Sequence, residues 1–189
     1  MNKLATPKEA GVIVMLDLTN DSLVLTQRST KLPEHPGEVC FPGGRWQEGD
    51  ENLYATALRE LREELDIDAS RIQLQRNMAV ERTLTGYIIH PWLVTIESLE
   101  PYKASLGEVS AVFSLPLAEV SNLANYQELI VKRYGVAIKS YQYTASTYFV
   151  WGATARIMMQ LSKKEGDGSR DFILVSSGFI CRSRRGGND

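Results

Sequence analysis

Cysteine is nearly absent from this sequence: Cys40 and Cys181 are the only two in 189 residues, and their separation makes neither a disulfide framework nor a metal-ligand spacing. No apolar run approaches the roughly 20 residues of a membrane-spanning helix. The opening residues, MNKLATPKEAG, lack the apolar stretch of a secretory leader. A surplus of positive charge is missing too. With 21 Lys and Arg against 23 Asp and Glu the formal net charge is -2, which argues against a general nucleic-acid binder. Any anionic substrate must then be handled locally, by a metal ion and a few arginines. These absences imply a cytoplasmic protein in a reducing compartment, with no nucleic-acid or membrane partner. What is present is ordinary for a folded chain: 43% hydrophobic and 23% charged residues, enough for one well-cored domain, with no internal repeat.

The stretch Phe41 to Ile67, FPGGRWQEGDENLYATALRELREELDI, carries the most information. Its second half predicts a helix of about four turns, with Asp50 as N-cap, Glu51 adding negative charge to the first turn and strong helix formers running to Leu65. At about 100° per residue, Tyr54, Leu58, Leu61 and Leu65 fall within a sector of roughly 60°, while Glu60, Glu63 and Glu64 gather elsewhere. One face is core and another is acid. Like charges at these spacings cost about 0.2–0.5 kcal/mol per pair on an exposed helix. A divalent cation reverses that sign, because hard ions such as Mg²⁺ take carboxylates, waters and substrate phosphates as ligands. A solvated acidic face partnered by Arg59 and Arg62 is the plainer reading of the helix alone.

What precedes the helix shifts that balance. Val39, Cys40 and Phe41 are strand-like, and Pro42-Gly43-Gly44 is a turn whose glycines let backbone approach a ligand closely. Combined with Arg59-Glu60-Leu61-Arg62-Glu63-Glu64, the stretch resembles the Nudix box, written Gly-x5-Glu-x7-Arg-Glu-U-x-Glu-Glu-x-Gly-U with U apolar. Two departures stand out. The loop Arg45 to Asp50 is one residue longer than the box, so either Glu51 or Asp50 takes the place of its first glutamate. Asp66 stands where the box has its late glycine, at a position expected to be left-handed, which costs on the order of 1 kcal/mol against Gly. The resemblance implies Mg²⁺ or Mn²⁺ held by Glu60 and Glu64, with Glu63 assisting. It also implies that Arg59 orients the carboxylates, that Gly43 and Gly44 lie against substrate, and that either Glu63 or Glu108 is the base.

Upstream, Gly11 to Leu18 reads as a buried strand and Ser22 to Gln27 as its hairpin partner. The run Leu25-Thr26-Gln27-Arg28-Ser29, continuing through Leu32, His35 and Gly37 to Phe41-Pro42-Gly43-Gly44, is similar to the signature of the coenzyme A diphosphatase branch of the Nudix family. Where that branch has a second arginine, this chain has Pro33, and Lys31 is the nearest basic residue. Arg28, at a strand end beside a glycine turn, is a candidate clamp for a phosphate, against the plain alternative of a surface charge. His35 is read as structuring its loop.

Downstream, Ile72 to Val80 and Ile88 to Ile96 read as strands, with Pro91 suggesting an edge or a bulge. Glu108 opens a further strand after Gly107, as a carboxylate near the metal or as an exposed loop acid. Pro116 to Leu123 predicts a short helix and Tyr126 to Tyr143 two more strands. Tyr148 to Leu161 predicts a second long helix, beginning Tyr148-Phe149-Val150-Trp151-Gly152, a phrase that again resembles the coenzyme A branch; its aromatics are read as packing rather than as a ligand box. Residues 163–170 read as a linker, 171–181 as an apolar strand and 182–189 as disordered. The expected architecture is α+β, a Nudix α/β/α sandwich around a mixed sheet over residues 1–165, with an extension at 166–189 of no assigned role. The implied activity is hydrolysis of coenzyme A or an acyl-coenzyme A at its diphosphate. The alternatives are a Nudix hydrolase of another substrate such as ADP-ribose, or a non-catalytic Nudix module that binds a nucleotide and regulates. The oligomeric state is not legible.

Overall fold

The structure is a computed structural model that describes residues 8–83, 85–133 and 135–162. The linker, apolar strand and tail expected over 163–189 lie outside the described residues. Strand β1, Lys8–Asp17, is the spine, because it is buried on both faces. Alternation sends Val12 and Val14 into one core and Ile13 and Met15 into the other. Around it lie β2 (Ser22–Arg28), β3 (Val39–Cys40), β4 (Gly43–Arg45), β5 (Ile72–Asn77), β6 (Glu81–Arg82), β7 (Tyr87–Ile96) and β8 (Val109–Pro116). The path runs β3-β2-β1-β7-β5, with β4 on β1, β6 on β7 and β8 on β2. Since β1 and β7 are parallel and the other pairs antiparallel, the sheet is mixed.

Helix α1, Leu53–Leu65, covers one face of the sheet with Ala57, Leu61 and Leu65, while Tyr54 and Leu58 pack partly buried beside them. On the other face lie the short helix α2 (Leu117–Val120) and α3 (Gly152–Met159), with a small second sheet. That sheet joins β9 (Tyr126–Arg133), β10 (Val136–Tyr143) and β11 (Val150–Trp151) in the order β11-β10-β9. Val120, Tyr143, Val150, Ile157 and Met158 close this second core. The layers are therefore helix, mixed sheet and helix, as expected, with the second sheet added to the far layer.

Several local expectations are corrected. The N-cap of α1 is Asn52, whose Oδ1 accepts from Ala55 N at 2.9 Å; Asp50 is drawn away by Gln47 N at 3.0 Å, the Thr56 hydroxyl at 2.8 Å and Arg59. Pro91 is not on an edge strand. It sits inside β7 where β5 hands over to β6, and its carbonyl accepts from Met78 N at 2.9 Å, so its missing N–H falls at the break between two short partners. The late helix starts later than its sequence suggests, because Val150 and Trp151 pair with Tyr143 and Gln142 as a strand before Gly152, at φ 68°, turns the chain. Asp66 does adopt the left-handed conformation (φ 56°, ψ 34°), and its N–H returns to Arg62 O.

Candidate active site

Two loops hand the carboxylates of α1 to the end of the sheet. Lys103 N and Ser105 N each donate at 2.9 Å to the otherwise open carbonyls of Leu65 and Glu64. From there the backbone of Glu108 is held between Ser105 O and Ser29 N. The segment before β8 is thereby brought against the C-terminal turn of α1 and the end of β2. Glu108 lies in the turn just before that strand, exposed, and lines the same pocket as Arg28, Glu60 and Glu64.

The acids differ in setting more than a helical wheel suggests. Glu64 is buried, 3% exposed, and accepts a hydrogen bond from Gly43 N at 3.3 Å. Burial first, then the charge of Glu60, pushes its carboxyl up to about 8, against the pull of Arg28 and the Gly43 N–H. Glu60, mostly buried, is shifted up by burial too, with Arg59 opposing and Glu63 and Glu108 adding to it. Glu63 is half exposed. Arg59 ties the set together: it donates to both oxygens of Asp50 at 3.0 and 3.1 Å, to Glu60 at 2.9 Å and to Glu63 at 3.0 Å. Asp50, rather than the exposed Glu51, meets the arginine. Arg59 hydrogen bonds hold the Asp50 carboxyl well below the usual carboxylate range.

The two turn glycines are required by neighbours. A Cβ on Gly44 would stand 2.3 Å from Glu60 Oε1, so the bare backbone leaves room for that carboxylate. A Cβ on Gly43 would stand 2.3 Å from Gly11 O and 2.7 Å from Val12 Cα, so there the close partner is β1 itself. Both glycines line the pocket.

The pocket has a volume of about 760 Å³ and spans both sheets. Its lining includes Arg28, Glu60, Glu64 and Glu108 together with Val131, Lys132 and Trp151 of the second sheet. Arg28 Nε is buried and has no hydrogen-bond partner among the described residues. Lys31 is exposed and does not line the pocket, whereas Pro33 and His35 do. His35 has a left-handed backbone (φ 54°) and pairs with Glu38 at 2.9 Å, which shapes its loop. The aromatics before α3 divide: Tyr148 stacks on Phe113 at 3.8 Å, Trp151 lines the pocket and Phe149 is exposed.

The NUDIX domain family matches residues 7–133. The chain belongs to the Nudix family. It is 37% identical over 160 residues to proteins of Shigella boydii and Escherichia coli named uncharacterized Nudix hydrolase NudL, covering 84% of this chain and 83% of each relative. The solved structure of a MutT/nudix family protein from Enterococcus faecalis superposes with a TM-score of 0.56 at 17% identity, over 85% of this chain and 62% of that one. A solved structure from Deinococcus radiodurans gives 0.50 at 16%, over 64% and 75%. At such identities the two structures speak to the fold alone.

As a Nudix hydrolase the protein is an enzyme of phosphoanhydride bonds, in a family that generally uses divalent metal ions. Among the described residues no three His, Cys, Asp or Glu side chains are set to enclose an ion, because Arg59 holds Glu60 and Glu63 and Gly43 holds Glu64. The donor set nevertheless fits. Glu60 and Glu64 are both substantially buried carboxylates, the charge of Glu60 raises the cost of ionising Glu64, and Mg²⁺ commonly needs only one or two carboxylates beside waters and phosphates. Lys132, Tyr87 and Arg156, all pocket residues, escape sequence reading, and Trp151, read from the sequence as packing, lines the pocket with them. They stand alone in strands or a helix start far from the box, and only the Trp151 phrase carries a signal.

Proposed function

We propose that this Nudix enzyme hydrolyses the diphosphate of coenzyme A or acyl-coenzyme A, giving 4'-phosphopantetheine and adenosine 3',5'-bisphosphate. The observation that carries the reading is the position of Arg28. It leads the run that resembles the coenzyme A branch, it lines the pocket that holds Glu60, Glu64 and Glu108, and its Nε is buried without an acceptor among the described residues. A buried donor without an acceptor costs about 1–3 kcal/mol, and a phosphate oxygen relieves that cost. The volume and the apolar wall of Ile89, Val131 and Trp151 suit a substrate with a long flexible arm.

Mg²⁺ or Mn²⁺, held by Glu60 and Glu64 with Glu63 assisting, would neutralise phosphate charge and lower the pKa of a bound water. Arg59 fixes Glu60 and Glu63 by charge-assisted hydrogen bonds and is itself fixed by Asp50. Gly43 and Gly44 keep backbone beside the carboxylates without side-chain bulk. Glu63 and Glu108 are the candidates to take the proton of the attacking water; neither is buried as Glu64 is, and of the two Glu108 lines the pocket whereas Glu63 lies outside its lining, tied to Arg59.

The test is a phosphate-release screen over coenzyme A, an acyl-coenzyme A, ADP-ribose and NADH, run with EDTA, Mg²⁺ and Mn²⁺. Metal-dependent turnover fastest on coenzyme A or its acyl form is the expected result. Faster turnover of ADP-ribose would move the assignment to another Nudix substrate, and no turnover with any metal would point to a binding module.

A further inference from the structure

Strand β9 is the last strand of its sheet, and its register with β10 fixes which way each residue points. Arg133 and Val136 are partners with only two residues between them, so they must be a pair that exchanges backbone hydrogen bonds. Counting back from that pair, Val131 and Leu129 also direct their N–H and C=O to β10. Those of Lys132, Ile130 and Glu128 point to the outer edge, where no backbone group of a described residue meets them. The side chains alternate as well. Val131 shares the face of Ser140, which is buried and bonded to Arg156, whereas Glu128, Ile130 and Lys132 share the opposite face with Lys139. Tyr126 and Tyr143 pack the base of that opposite face into the core; further out, Glu128 and Lys132 are exposed and Ile130 is 55% exposed.

An open edge is a template for another strand, and natural edges commonly carry charges that discourage such pairing. Here the charges are of opposite sign and stand symmetrically about Ile130, two residues to either side. We propose that β9 is a docking edge for a second copy of this chain, the two β9 strands pairing antiparallel about a two-fold axis at Ile130. In that register Ile130 meets the partner's Ile130, Glu128 meets the partner's Lys132 and Lys132 meets the partner's Glu128, with Cβ atoms about 5 Å apart. The outward N–H and C=O groups of the three positions bond across the axis. Other registers are worse. Centring on Glu128 or on Lys132 sets like charges opposite each other, and centring on Leu129 or Val131 sets a charge opposite Ile130. Glu128 is available, because its pair with Lys139 uses Oε2 and both side chains remain half exposed. Lys132 has no ion pair with a described residue. A foreign strand would need none of this symmetry, and the self-complementarity is what selects a second copy as the occupant.

The experiment is sedimentation equilibrium on the full chain over a range of concentrations, with wild type, Glu128→Lys, Lys132→Glu and an equimolar mixture of the two variants. Wild type should show a monomer–dimer equilibrium. Each variant alone sets like charges opposite each other and should weaken the dimer by about tenfold or more in Kd. In the mixture every charge faces its opposite again, so the dimer should return as the mixed species. Ile130→Pro removes an N–H that β10 does not use, and should abolish the dimer with the fold intact by circular dichroism. Should that variant unfold, the mixing experiment decides alone. A wild type that is monomeric at every concentration, a dimer that neither charge variant weakens, or a weakened dimer that the mixture does not restore overturns the proposal.

Discussion

Asp50 and Glu51 are adjacent acids, and the sequence alone leaves both eligible for the place of the first glutamate of the Nudix box. The structure separates them by direction: the Asp50 side chain, 7% exposed, turns inward to both nitrogens of the guanidinium fork, while Glu51 faces solvent. Asp50→Asn should therefore lower kcat by about tenfold or more by loosening Arg59 and the carboxylates it holds, with Glu51→Gln near wild type. Comparable losses in both would contradict the geometry. A pH dependence follows as well. Because the Asp50 carboxyl is depressed below its ordinary value of 3.8 by Arg59, it contributes stability above that pH, and the contribution is lost as pH falls below it. In melting experiments the gap between wild type and Asp50→Asn should be full and constant above about pH 5 and narrow as pH falls below about 3.8. A gap that stays constant to about pH 2 would show that Asp50 stabilises by some other means.

At the scale of elements, the glycine turn and α1 act as one unit, and identical substitutions in the turn should fail in different ways. Gly44→Ala meets the free end of the Glu60 side chain, which can swing aside, so the fold should survive while metal binding and turnover drop. Gly43→Ala meets the backbone of β1 at Gly11 and Val12, which cannot swing, and should cost roughly 1–3 kcal/mol of stability. Denaturant unfolding beside an activity assay distinguishes the two; a stable, active Gly44→Ala protein would deny Glu60 its place. The crowding of Glu60 and Glu64 also makes α1 a charge sensor. Saturating Mn²⁺ should raise Tm, since a ligand of the folded form stabilises it by mass action, and Glu60→Gln should shrink that rise. No change in wild-type Tm with metal would show that these carboxylates hold no ion in the folded protein. The box of sequence from Phe41 to Ile67 was readable as this unit because its pattern is local. The burial of Glu64 was not readable, since it depends on the segment before β8 folding over the end of α1.

Across the whole molecule, the pocket exists only where the two sheets meet. Val39 O accepts from the Thr154 hydroxyl at 3.0 Å, holding β3 of the first sheet to the start of α3 beside β11 of the second. Arg28 reaches this space from the end of β2, and its contact with substrate should be worth a measurable share of transition-state binding. Arg28→Ala is expected to reduce kcat/KM for coenzyme A by on the order of 10- to 100-fold, about 1.4–2.8 kcal/mol. Pro33→Arg should leave it equal or improved, since Pro33 is an exposed residue on the pocket rim. Arg28→Ala with wild-type kcat/KM would remove the main support for the substrate reading.

The sequence by itself determined a buried strand at Gly11 to Leu18, the helix with its acids, the left-handed Asp66 and the family, because periodicity, capping and motif spacing act over a few residues to a few turns. It could not choose between Asp50 and Glu51, nor place the start of α3, where pairing of Trp151 with Gln142 overrides a helical reading. Tertiary structure alone decided which cations share the pocket with the acids. Lys31 is close to Pro33 in sequence but lies away from the pocket, and Lys132, about a hundred residues further on, lines it. The physical reason is that strand pairing and sheet packing, not chain proximity, carry a residue from one layer to the mouth of another.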